Sequence, residues 1–127
     1  MWKEDKDMPN PVVHFEIMTQ NEERLRDFYS KAFGWTIKPP VPGSAGVRYL
    51  LVEREGEGIG GGIGSTPDGY QGHVTFYVGV TNLEQALADV EKLGGSTMLA
   101  PEQVPNGPRI ALFRDPENHV IGLVQTA

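Results

Sequence analysis

The side chains best suited to chemistry sit on two stretches of strict alternation. In the first, Val13, Phe15 and Ile17 oppose His14, Glu16 and Met18; in the second, Val74, Phe76 and Val78 oppose His73, Thr75 and Tyr77. Successive strand residues point to opposite faces, so each histidine shares its face with polar neighbours and leaves the apolar set on the other. Neutral imidazole is a common ligand for Zn, Ni, Fe and related ions. Two histidines do not make a site, because a catalytic zinc has about three protein ligands and one open position. Glu16 shares the face of His14, about 7 Å further along the strand. It reads either as a third contact to such an ion or as a cleft-wall acid paired with Arg48 or Arg109. The plainer reading of His14 and His73 is of polar residues on a half-open sheet face. Tyr77, on the parity of His73, is the best aromatic candidate for a pocket. Tyr49, Phe113 and Trp35 read as core or cross-strand rings. Arg109 follows Pro108 at a strand entrance near a rim, placed either to fix a ligand anion or to stay solvated. His119 falls on the parity of Ile121 and Leu123, at a turn, and no role is assigned to it.

Other chemistries fall away. There is no cysteine, hence no disulfide framework, thiolate metal site or cysteine nucleophile. Three histidines and scattered serines give no Ser-His-Asp geometry. The run Gly58-Ile59-Gly60-Gly61-Gly62-Ile63-Gly64 misses the Gly-x-Gly-x-x-Gly register and precedes no helix, so it reads as a bulged or closely approached strand rather than a phosphate loop. A formal charge of −6, with basic residues scattered singly, argues against nucleic acid. No apolar run has membrane-spanning length, and Met1 to Asp7 has no apolar signal core. The expectation is a cytoplasmic protein with no membrane or nucleic-acid partner.

These candidate groups need elements to hold them. At 127 residues the chain fits one domain, expected over 1–127, with residues 1–10 and 126–127 as loose tails. A pattern of strand, helix, short strand and two further strands occurs twice, the copies offset by 59 to 61 residues. Asn21 caps the first helix, Glu22 and Glu23 suit its positive start, and Gly34 stops it. Asn82 caps the second, with Gln85 at the capping-box position and Gly94-Gly95 at the end. Each apolar strand face must meet its helix, which leaves the histidine face concave. Hairpins follow, from Arg48–Glu53 into Ile59–Gly64 and from Arg109–Arg114 into His119–Gln125. Residues 39–46 and 100–108 read as rim loops. The fold class is therefore α+β: two βαβββ modules, at about 12–64 and 72–125, forming a curved mixed sheet around a cleft.

Several motifs now fall in order within that duplicated frame: His14-Phe15-Glu16-Ile17, Phe28-Tyr29, Phe33-Gly34-Trp35, His73, and the closing Asp115-Pro116-Glu117-Asn118-His119-Val120-Ile121-Gly122-Leu123. Over about residues 12 to 125 the chain resembles the vicinal oxygen chelate (glyoxalase/bleomycin resistance/dioxygenase) superfamily, in a branch whose members are mostly of unassigned activity. The last motif is similar to that superfamily's Asp-Pro-x-Gly-Asn-x-Ile-Glu-Leu ending. The resemblance implies one metal ligand at the start of each module and one late in each last strand. His14 and His73 match the first pair. The late pair does not carry over: the closing Glu is replaced by Gly122, and its counterpart falls within Gly60-Gly61-Gly62. Glycine has no side chain to offer, so two of four implied ligands are missing.

The expectation is a small-molecule-binding protein with an incomplete metal site, acting as a binder or a metal-free enzyme and taking a small organic ligand against His14, Glu16, His73, Tyr77 and Arg109. No cofactor is expected and no catalytic residue is assigned. The alternative is a metal-dependent lyase, isomerase or dioxygenase with Zn, Ni, Mn or Fe on His14 and His73. The resemblance also admits a homodimer, with the cleft closed within one chain or across two.

Overall fold

The repeat becomes a single sheet. The structure, a computed structural model, describes residues 9–67 and 69–126, apart from the side chain of Ala45. Residues 1–8 of the expected N-terminal tail lie outside the described residues, as does Ala127. The first module comprises β1 (Val12–Thr19), α1 (Glu22–Phe33), β2 (Val41–Pro42), β3 (Arg48–Val52) and β4 (Gly60–Ser65). The second comprises β5 (His73–Val80), α2 (Leu83–Lys92), β6 (Ser96–Gln103), β7 (Arg109–Arg114) and β8 (Val120–Gln125). The eight strands lie in the order β2-β3-β4-β1-β5-β8-β7-β6, so the two modules meet along an antiparallel β1–β5 seam. Within each module the seam strand pairs parallel with the last strand, β1 with β4 and β5 with β8.

The helices begin and end where their caps dictate. The Asn21 side chain accepts from Arg24 N, and Gly34 closes α1 in the left-handed conformation, at φ 72. Asn82 accepts from Gln85 N. Only half of the expected capping box forms, because the Gln85 amide turns forward to Asp89 Oδ1, at 3.0 Å.

Each helix covers its own module. Ile17, Leu50, Val52 and Ile63 form one core, with Phe15, Leu25, Tyr29, Trp35 and Ile37 packed on it. Val80, Leu83, Leu87, Ala111 and Leu123 form the other. The alternation therefore holds, but the helices do not cover the whole apolar face. Val74 is 76% exposed and Phe76 39%, because both sit on the seam where neither helix reaches.

Two rim expectations change. β6 runs on through Gln103, so the loop expected at 100–108 shortens. Pro101 is tolerated in it because β6 is an edge strand with no partner on one side. The rim at 39–46 contains β2 and a short 3-10 turn, Ser44–Gly46. Ser44 Oγ donates to Glu102 on β6. β2 and β6 are the two ends of the sheet, so this contact shows how far the sheet curls round its cleft. Among the described residues no helix is long and apolar enough to cross a membrane.

Candidate functional site

The register across the seam decides what the concave face can do. His14 pairs with Tyr77, Glu16 with Thr75, and Met18 with His73. Glu16 and Thr75 are themselves counterparts in the repeat, so the pseudo-twofold axis passes between them. The two histidines therefore lie on opposite sides of the axis, four residues apart along antiparallel strands, about 13 Å in the strand direction. Both are on the concave face, as alternation requires, but their backbones stand apart and the two rings reach toward Glu16 from either side. The Glu16 side chain lies between them.

Glu16 is the centre of the site and is 7% exposed. Tyr49 Oη donates to its Oε1 at 3.0 Å, and Tyr77 Oη donates at 3.1 Å to Oε1, with Oε2 at 3.3 Å. His14 Nε2 lies 2.8 Å from Tyr49 Oη, and its ring meets Tyr77 edge-on at 5.6 Å. Since the Tyr49 hydroxyl spends its proton on Glu16, it accepts from His14, which fixes the Nε2–H tautomer. On the far side, His73 Nε2 stands 3.9 Å from Glu16 Oε2, while its Nδ1 is engaged by Tyr70 Oη. Burial, followed by the Glu16 charge, holds the Tyr49 and Tyr77 phenols far above their ordinary range, so both remain neutral donors. Burial also lowers the pKa of His14, an effect the Glu16 carboxylate partly offsets. Thr75, the counterpart of Glu16, bonds the Val120 carbonyl at 2.6 Å.

The glycines of the last strands explain how these rings fit. A Cβ on Gly62 would lie 2.0 Å from the Tyr49 ring, and one on Gly122 would lie 2.4 Å from the Tyr77 ring. Strand pairing also corrects the expected counterpart of Gly122. Tyr77 pairs with Gly122 in the second module, and its equivalent Met18 pairs with Gly64 in the first. The counterpart is thus Gly64, beyond Gly60-Gly61-Gly62, and the Met18 sulfur would lie 2.8 Å from a Cβ there. At each of these positions a neighbouring side chain occupies the room a ligand side chain would need.

A chelated divalent ion does not fit these residues. The histidines are on opposite sides of the axis, and Glu16 Oε1 is already taken by two phenols. Among the described residues no group of three or more His, Cys, Asp or Glu could hold a metal.

Arg109 is not on this face. It shares the parity of Ala111 and Phe113, which pack under α2, and it donates to Glu84 at 2.7 Å and to Gln125 at 3.1 Å. Arg48 pairs with Glu22 and Glu23, so neither arginine is a partner for Glu16. His119 Nδ1 lies 2.9 Å from Asp115 in the exposed turn. Tyr49 and Tyr70 are the members that sequence reasoning missed. Tyr49 carries no signal until the β3–β4 register is known, whereas Tyr70, three residues before His73, was near enough to be suspected. A depression of about 590 Å³ lies against α1, beside Gln20, Arg24 and Phe28, and is separate from this chemistry.

The profile of the Glyoxalase/Bleomycin resistance protein/Dioxygenase superfamily matches residues 12–123. The chain belongs to that superfamily. No curated relative matches it by sequence. Among solved structures, methylmalonyl-CoA epimerase from Mycobacterium tuberculosis is similar, with a TM-score of 0.73 at 14% identity over 91% of this chain and 87% of that one. A single-substitution variant of the Streptomyces coelicolor methylmalonyl-CoA epimerase, in complex with 2-nitronate-propionyl-CoA, has a TM-score of 0.69 at 17% identity, over 94% and 99% of the two chains. A hypothetical protein from Bacillus halodurans has a TM-score of 0.70 at 17% identity, over 94% and 96%. At these identities the likeness is one of fold, and it extends over nearly the whole superfamily domain.

Proposed function

We propose that this superfamily member binds a small organic molecule on its concave face and acts there without a chelated metal ion, as a metal-free enzyme of the proton-transferring, isomerase kind. One observation carries the reading: tyrosine rings lie over Gly62 and Gly122, and their hydroxyls hold the buried Glu16 carboxylate. The face then offers one carboxylate acceptor, neutral phenols and two imidazoles, which is a set able to orient a ligand and move a proton. Glu16 supplies the acceptor and His73 the facing donor. His14, Tyr49 and Tyr77 fix the carboxylate. A dioxygenase reading is less favoured, because an iron centre of the facial type needs three converging donors. The epimerases of similar fold support an isomerase over an oxygenase without naming a substrate.

Elemental analysis of gently purified protein, with thermal melts in Zn, Ni, Mn and Fe salts, tests the reading. The expected result is no stoichiometric metal and no melting shift that depends on either histidine. A bound metal at one per chain, lost in both His14→Ala and His73→Ala, would sink it in favour of the metal-dependent alternative.

A further inference from the structure

Two buried polar atoms on the concave face are under-used. His73 Nε2 has no hydrogen-bond partner and is shielded from solvent, although 21% of the side chain remains exposed. The Tyr70 hydroxyl engages Nδ1, and because Nε2 faces the Glu16 carboxylate, which can only accept, the proton belongs on Nε2 and Tyr70 donates to Nδ1. That proton faces Glu16 Oε2, which is 3.9 Å away and so beyond hydrogen-bond length. Oε2 is also the less committed carboxylate oxygen. Both phenols lie closer to Oε1, and Oε2 has only the 3.3 Å contact from Tyr77.

A donor and an acceptor thus face each other across a gap too wide to close directly. An oxygen about 2.8 Å from each would sit about 2 Å to one side of the line between them, with the two contacts meeting at roughly 90°. The group filling that position must accept from the imidazole and donate to the carboxylate. A carbonyl has no proton for Glu16. An ammonium has no lone pair for His73. A carboxylate is repelled by Glu16. A hydroxyl satisfies both atoms.

We propose that the gap between Glu16 Oε2 and His73 Nε2 is the subsite for a ligand hydroxyl, so that the small molecule taken by this face is an alcohol. The inference rests on the concave-face, metal-free reading above. Tyr70 acts as a positioning residue, since its hydroxyl, donating to Nδ1, supports the tautomer whose Nε2–H faces Glu16. The Tyr77 ring, whose hydroxyl reaches Oε2 at 3.3 Å, offers an aromatic wall for an apolar body attached to the ligand hydroxyl.

Benzyl alcohol and toluene form a matched probe pair, differing in the hydroxyl alone. Their binding is followed by NMR of the full chain at millimolar probe, together with the imidazole nitrogen resonances of His73. Wild-type protein is expected to bind the alcohol about five- to tenfold more tightly than toluene, the ratio one added hydrogen-bonded hydroxyl supplies. The preference should fall below about twofold in His73→Phe. In Tyr70→Phe, at an exposed position that leaves the fold intact, the preference should fall with a tautomer shift at His73. Equal binding of the two probes, a preference that survives His73→Phe, or no alcohol-specific change at His73 each overturns the proposal. Equal binding would mean that a bound water fills the gap and is not displaced. Metal analysis of the same samples separates this failure from that of the underlying reading: metal-free protein with no alcohol preference rejects the hydroxyl subsite alone.

Discussion

The two modules share a topology but fill the concave floor in different ways. In the first, β4 is Gly60-Gly61-Gly62-Ile63-Gly64-Ser65, and three side chains press onto its bare backbone. Phe15 packs at Gly61 on the helix side, and Tyr49 and Met18 lie at Gly62 and Gly64 on the concave side. In the second, β8 is Val120-Ile121-Gly122-Leu123-Val124-Gln125, and Tyr77 alone crosses the strand, at Gly122. The axis-related residues diverge as well. Glu16 gathers phenols from both modules, while Thr75 ties back to the Val120 carbonyl of its own. A duplicated frame thus carries a single acid, held jointly, and the bare glycines of the last strands leave room for the rings that hold it.

The largest expected effect tests whether the two sockets are equally tight. Tyr77 is 6% exposed, whereas Tyr49 is half-buried near the sheet edge, so the first socket has more room to yield around its ring. Gly122→Ala should therefore cost about 3 kcal/mol and Gly62→Ala about 1 kcal/mol, although the overlap is nominally worse at Gly62. Urea denaturation measures both. The reverse order would mean that Tyr49 is the more rigid ring and that the first module, not the second, anchors the floor.

A smaller difference is expected across the axis itself. Glu16→Gln keeps one acceptor but weakens two phenol bonds to a charged group, for a loss of about 2 kcal/mol. Thr75→Val loses one neutral bond of its hydroxyl, about 1 kcal/mol. Equal losses from the two substitutions would show that the joint carboxylate contributes no more than an ordinary buried hydroxyl.

Much of this frame is legible in the sequence, and what is not has a definite cause. The 59-residue offset, the asparagine caps and the strand alternation all depend on local pattern, and they place His14, Glu16, His73 and Tyr77 on one face. Whether His14 and His73 could share an ion was not legible, because it depends on β1–β5 register. Opposed strands carry equivalent residues away from the axis unless they stand at it, and only Glu16 and Thr75 do. Gly122 was readable as a missing ligand. That it is a socket for the adjacent Tyr77 required the parallel β5–β8 pairing. Arg109 was misplaced because an entrance residue has too few neighbours to fix its parity. β6 outran its sequence signal because Pro101 ends a strand only where its N–H is needed.

The smallest expected effect is a pH dependence carried by one proton and belonging to the first module. His14 is enclosed by Tyr49, Tyr77 and Glu16, and its burial depresses its pKa below the unfolded value of 6.5. A base with a lowered folded-state pKa is protonated more readily in the unfolded chain. Its contribution is therefore complete above the unfolded value and is lost as pH falls toward the folded one. Stability from urea melts should accordingly decline as the pH is lowered through and below the unfolded value of 6.5, with a slope of at most roughly 1.4 kcal/mol per pH unit from this group. His14→Gln keeps a donor for Tyr49 but cannot titrate, so it should flatten that decline. If the decline is unchanged in His14→Gln, the imidazole is not enclosed in solution, and the Glu16–Tyr49–His14 chain is looser than its 3.0 Å and 2.8 Å contacts imply.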